Sequence, residues 1–109
     1  MLTLPFRDAN EAAMKKRILF RFRLYIAGQA QNSILAVANL TALCRTHLSD
    51  HCEIEVVDVF HEPERALEDG VFLTPTLIKL LPMPVKCIVG SLSHMQTVLL
   101  TLGLESRAP

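Results

Sequence analysis

Three cysteines and four histidines are the side chains of this 109-residue chain best suited to nucleophilic, redox or metal chemistry. Cys44, Cys52 and Cys87 form no close pair. An odd count at wide spacing argues against a disulfide framework and against zinc, both of which call for clustered thiolates. Each cysteine lies in an apolar stretch, where a free thiol behaves as a small buried hydrophobe. His47, His51, His61 and His94 are scattered and match no H-x-x-E-H type of ligand spacing. Gly28, Gly70, Gly90 and Gly103 never cluster, so no phosphate-cradling loop is expected. Glu62, Glu64, Glu68 and Asp69 crowd one short segment and read as the solvated face of a helix. The residues predict no enzyme, no cofactor and no metal site.

Composition narrows the partners. Half the residues are hydrophobic and mean hydropathy is +0.32, so some apolar surface is expected to enter a subunit interface. Eleven basic side chains balance eleven acidic ones, leaving no global field for nucleic acid or an anionic membrane. No apolar run reaches the roughly 18 residues of a spanning helix, and no apolar region before a cleavage site is visible at the N-terminus. The expected location is the cytoplasm.

The elements that position these side chains follow from periodicity. Residues 1–15 show no sustained period and are expected to be a flexible extension, with Met14 a possible alternative start. Ile18, Phe20, Phe22, Leu24 and Ile26 then alternate with Arg17, Arg21, Arg23 and Tyr25, a strand with one deeply buried face. A helix follows from about Asn32 as N-cap, with Ile34, Val37, Ala38, Thr41 and Leu48 on one stripe and Leu40, Leu43 and Cys44 beside it. Cys52–Phe60 reads as a second strand with Ile54 and Val56 inward and Glu53 and Glu55 outward. Strand, helix and strand on short joints make a parallel β-α-β unit. Arg21 and Arg23 can then face Glu53 and Glu55, a surface pairing worth at most about 1 kcal/mol.

Pro63 suits a first helical position, and Pro63–Asp69 reads as one short helix stopped by Gly70. Thr76–Leu81 and Val85–Val89 form a hairpin, and Ser93-x-x-Gln96 is a capping box ahead of a last helix with Met95, Val98, Leu99 and Leu102 on its buried stripe. The hairpin's entry and turn are set by X-Pro bonds at Pro75, Pro82 and Pro84, the one kind of peptide bond with an accessible cis form. The order β-α-β-α-β-β-α is that of a single thioredoxin-like α/β domain over residues 16–105, with 106–109 as a tail. Redox chemistry in such a domain needs a thiolate at the N-terminus of the first helix. That corner reads Gly28-Gln29-Ala30-Gln31-Asn32-Ser33 and has none.

Arg23-Leu-Tyr-Ile-Ala-Gly28, Asn32-Ser33, Val56-Val-Asp-Val59, Thr74-Pro-Thr-Leu77, Lys79, Leu81-Pro82, Pro84-Val85 and Ile88-Val-Gly90 resemble the KaiB family of circadian clock proteins. The match runs without gaps from about Lys16 to Leu104. The resemblance implies a non-enzymatic protein that binds the N-terminal ATPase ring of KaiC and, in cyanobacteria, sequesters KaiA. It also implies a constant N-terminal half and a C-terminal half that switches between the thioredoxin-like form and a tetrameric ground state of order β-α-β-β-α-α-β.

Carried over residue by residue, the resemblance assigns KaiC contact to Lys79 and Lys86, with Arg23 and Tyr25, and fold switching to Pro75, Pro82, Pro84, Thr101 and Gly103. The next basic position of the family is Cys87 here, and the first-helix arginine is Leu35. Glu55 stands where clock members carry a lysine near the KaiA contact, which makes KaiA a doubtful partner. Thr101-Leu-Gly-Leu-Glu-Ser106 replaces Gly-Leu-Asp-Leu-Leu-Tyr, so the balance between the two forms is expected to differ. The expected assembly is a dimer or tetramer, and the expected output is circadian timing or stress adaptation. The other reading is a redox-inactive adaptor domain that docks on a signalling histidine kinase. A neighbouring KaiC-like gene favours the first and a neighbouring kinase gene alone favours the second.

Overall fold

Large apolar residues at every second position make the first strand, and the computed structural model, which describes residues 19–104, places it as β1, Phe20–Ile26. Phe22 and Leu24 are buried on one face, with Phe20 stacked on Phe22 at a ring separation of 5.9 Å. The expected extension at 1–15, the alternative start at Met14 and the tail at 106–109 lie outside the described residues.

After β1 come α1 (Gln31–His47), β2 (Cys52–Asp58), α2 (Pro63–Glu68), β3 (Thr76–Leu81), β4 (Lys86–Val89) and α3 (Met95–Leu102). The four strands form one sheet in the order β2-β1-β3-β4. β1 and β2 run parallel, while β3 is antiparallel to both β1 and β4. This is the thioredoxin-like order expected from the sequence. Pro63 occupies the start of α2, and Val71 closes the helix by donating its N–H to the Ala66 carbonyl at 2.8 Å. The Thr74–Pro75, Leu81–Pro82 and Met83–Pro84 bonds are cis.

The sheet is covered unequally. On one face, α1 and α3 bury Leu40, Leu43, Cys44, Val98, Leu99 and Leu102 against Phe22, Leu24 and Leu77. On the other, a smaller cluster joins Tyr25, Val57, Ala66, Val71 and Ile78. The short α2 covers only the end of this face where Tyr25 and Val57 sit. Arg21 and Glu53, at the other end, stay exposed.

Several sequence expectations are corrected here. Tyr25 is wholly buried, because α2 closes over the face that the alternation assigned to solvent. In β2 it is Val57 that enters the core, while Val56 is exposed on the edge strand. The helix α1 begins after Ala30 and not at Asn32, with no side-chain cap; its buried stripe is Ser33, Ala36, Leu40, Leu43 and Cys44, and Ile34 is exposed. Ser93 caps nothing: α3 starts after His94, and the Ser93 hydroxyl lies 2.6 Å from that of Ser91. Two cysteine expectations also fail. Cys44 and Cys52 are paired as a disulfide, their Cα atoms 6.5 Å apart, and Cys87 is exposed on β4. The turn after α1, invisible in the spacing of the cysteines, brings the first two together.

Candidate partner-binding surface

The half-covered sheet face carries a lattice of charge built on the parallel pairing of β1 and β2. Register sets Arg21 beside Glu53 and Arg23 beside Glu55. Arg21 Nε lies 2.6 Å from Glu53 Oε1, and Arg23 Nε lies 2.9 Å from Glu55 Oε1. The sequence expectation for these pairs holds. What spacing did not reveal is how α2 extends them. Arg65 reaches down to Glu55 Oε2 at 2.7 Å, and Arg23 Nη1 contacts Asp69 Oδ2 at 3.0 Å. Tyr25 donates its hydroxyl to the same Asp69 oxygen at 2.6 Å, with the Arg65 carbonyl at 3.0 Å.

Burial and charge act in opposite senses on these groups. Burial, reinforced by the hydrogen bond to Asp69, pushes the Tyr25 phenol up to about 12. The Tyr25 hydroxyl, helped by Arg23, holds the Asp69 carboxyl below its ordinary value. Arg65, followed by Arg23, lowers Glu55 to about 2. Glu55 in turn raises both guanidinium groups. Each ion pair is partly exposed, so solvent screening keeps its contribution to stability small. The Tyr25–Asp69 bond, part-buried and charge-assisted, ties the C-terminal end of α2 to the sheet.

Beyond α2 the face opens into a shallow groove of about 450 Å³ lined by Arg21, Arg23, Glu53, Glu55 and Leu80. A second groove of about 430 Å³, beside the Thr74–Pro75 corner, is lined by Val59, Phe60, Pro63, Leu67 and Phe72. Phe60 and Phe72 are 71% and 83% exposed there. Exposed aromatic and leucine side chains in contiguous groups mark surfaces that meet other proteins.

The residues assigned to partner contact do not converge. Arg23 and Tyr25 share the face covered by α2, whereas Lys79 lies on the opposite face, two residues along β3 from Leu77. Lys79 is only 4% exposed and Tyr25 is fully buried, so neither presents a polar group at the surface of this form. Lys86, directly across from Lys79 in the β3–β4 register, is exposed. Gly103 ends α3 in the left-handed region at φ 79°, with Thr101 half-buried two residues earlier.

Sequence reasoning missed Asp69 and Arg65 as members of the lattice. A lone tyrosine at the sixth position of β1 was the available signal. At the corner where a thioredoxin-like domain does redox chemistry, the Ser33 hydroxyl accepts from the Ala27 N–H at 3.0 Å. Among the described residues no group of three or more metal-ligating side chains occurs, and no helix is long and apolar enough to cross a membrane.

A protein-family profile described as the KaiB domain matches residues 23–104. The chain is similar to the circadian clock protein KaiB3 of Synechocystis sp., 42% identical over 92 residues that cover 80% of this chain and 90% of that one. It is also similar to the circadian clock oscillator protein KaiB of Prochlorococcus marinus, 38% identical over 91 residues, covering 84% and 78%. Among solved structures it superposes on the N-terminal domain of Synechococcus elongatus SasA with a TM-score of 0.62 at 16% identity, covering 83% of this chain and 89% of that one. Fasciola hepatica thioredoxin gives 0.64 at 14% identity, covering 91% and 93%. At such identities these two likenesses speak for the fold alone.

Proposed function

The chain belongs to the KaiB family, and on that premise we propose that it is a non-enzymatic, cytoplasmic clock-type regulator that binds the N-terminal ring of a KaiC-type ATPase. Binding modulates the phosphorylation state of that ATPase, in circadian timing or in stress adaptation. The observation that carries this reading is the family match over residues 23–104, which takes in both the constant half and the half that the resemblance marks as switching. The sheet order β2-β1-β3-β4 is the thioredoxin-like member of the two forms implied by the resemblance.

In this proposal the β3–β4 hairpin is the docking element. Lys86 is its exposed cation, while Arg23 serves through the charge lattice that fixes α2 to the sheet. The exposed Phe60, Leu67 and Phe72 fit a protein whose work is done through protein contacts and self-association. KaiA is not part of the proposal. Glu55 carries the charge opposite to the lysine of clock members, and Arg23 and Arg65 already hold its carboxylate.

The test is retention of the host's KaiC-type ATPase on the immobilised chain, in ATP and in ADP. Retention of the ring in at least one nucleotide state supports the proposal. Retention of a histidine kinase with no ATPase in either state would replace it with the adaptor reading.

A further inference from the structure

Cys44 sits in the last turn of α1 and Cys52 is the first residue of β2. The chain between them reverses through Ser49 and Asp50, both at positive φ, 51° and 62°. Side chains other than glycine seldom adopt that region and stay there only when their surroundings fix them. Here Asp50 donates its N–H to the Cys44 carbonyl at 3.0 Å and His51 to the Leu48 carbonyl at 2.8 Å. The turn therefore delivers Cys52 to Cys44 with a Cα separation of 6.5 Å, inside the range a disulfide spans. Cys44 is buried and Cys52 is half-buried, so a small reagent meets Cys52 first. Cys87, exposed on β4, remains a free thiol in the same molecule. In the cytoplasm, where the proposed function places the chain, thiols are kept reduced and a disulfide is a transient, redox-responsive bond.

We infer that Cys44 and Cys52 are a reversible thiol–disulfide couple, a redox modification site on the N-terminal β-α-β unit whose co-reactant is a small disulfide of the glutathione type. The Cys52 thiolate attacks one sulfur of the small disulfide; that S–S bond breaks and one small thiol departs with the electron pair. The Cys44 thiolate then attacks Cys52 Sγ and expels the second small thiol. Two Sγ–H bonds are exchanged for one Sγ–Sγ bond, and the small disulfide takes up the two electrons and two protons as two thiols. Excess thiol runs both steps backwards. The couple stands apart from the redox corner of thioredoxin-like domains: it joins the C-terminal end of α1 to β2, and the N-terminal corner of α1 holds no cysteine. Its effect is to staple α1 to the edge strand, across a turn held in the left-handed region.

The experiment uses the full chain with Cys87→Ser, treated with excess oxidised glutathione and then with dithiothreitol. Intact mass is expected to fall by two hydrogens with no glutathione retained, and to recover on reduction. Arg45 lies between the two cysteines, so tryptic peptides carrying Cys44 and Cys52 separate unless a disulfide joins them. The oxidised form is expected to melt about 10 °C above the reduced form, from closure of so short a loop. Adding Cys44→Ser is expected to trap one glutathione on Cys52. Glutathione adducts accumulating on the Cys87→Ser protein without the loss of two hydrogens, or no reaction at all, would overturn the couple. Loss of two hydrogens with an unchanged melting temperature would overturn the staple.

Discussion

Tyr25→Phe removes one oxygen from the interior and so isolates the link between α2 and the sheet. The phenol is buried and donates at 2.6 Å to Asp69, which keeps Arg23 at 3.0 Å when the hydroxyl is gone. A hydrogen bond to a charged acceptor stabilises by about 1.5–3 kcal/mol, and the ring itself still fills its site. The expected loss at neutral pH is therefore about 2 kcal/mol, a fall in Tm of about 10 °C. The same bond has a pH signature. The phenol's ordinary value is 10.0 and the folded protein holds it up to about 12, so the folded state keeps a proton that the unfolded chain gives up. The stabilisation is complete below pH 10.0 and disappears as pH rises through about 12, a span worth at most about 3 kcal/mol. Tyr25 is the single tyrosine of the chain and there is no tryptophan, so phenolate absorbance in the near ultraviolet reads this residue alone. A native-state midpoint near 10, or the same alkaline slope of stability in Tyr25→Phe, would refute the reasoning.

Glu55→Gln is expected to flatten the acid limb of stability. The carboxylate is held at about 2 against an ordinary 4.5, so its contribution is full above 4.5 and is lost as pH falls towards about 2. With its side chain 44% exposed, that contribution stays below about 1 kcal/mol, and added salt shrinks it in a denaturant titration. Lys86→Glu is expected to weaken binding of the KaiC-type ATPase about tenfold, or ~1.4 kcal/mol, with Tm unchanged. Lys79→Glu, placing a reversed charge at a buried position, is expected to lower Tm itself, and calorimetry on both variants separates the two outcomes. Gly28→Ala is expected to destabilise by about 1 kcal/mol, because Gly28 sits at φ 52°, a left-handed backbone that a Cβ strains, while the added Cβ would make only ordinary contact with the Phe60 ring at 3.4 Å. Urea midpoints of the two proteins check it.

The parts of this molecule legible in its sequence are those governed by local period and local chemistry. Phe22 and Leu24 announced their face of β1, Pro63 and Gly70 bracketed α2, and the Arg21–Glu53 and Arg23–Glu55 pairs followed once the strands were taken as parallel. The parts that stayed hidden depend on what lies across space. Tyr25 looked solvated because nothing in β1 says that a six-residue helix will close over it. Val56 and Val57 are adjacent valines, and only the packing of Val57 beside Tyr25 decides which one enters the core. Lys79 read as a surface cation, although its strand neighbours at positions 76–78 are all buried. The proximity of Cys44 and Cys52 arises from two successive residues, Ser49 and Asp50, in the left-handed region, a pairing that the mild tolerance of Asp for that backbone does not announce.

The most direct measurement labels the methyl groups of Leu77 and Ile88, register partners across the β3–β4 hairpin, and follows their contact by NMR while the N-terminal ring of the host's KaiC-type ATPase is added. A complex of ring and chain in which the Leu77–Ile88 contact persists is the predicted result. It would show the thioredoxin-like hairpin docking intact. No complex at any nucleotide state, or a complex in which that contact is lost, would contradict the account.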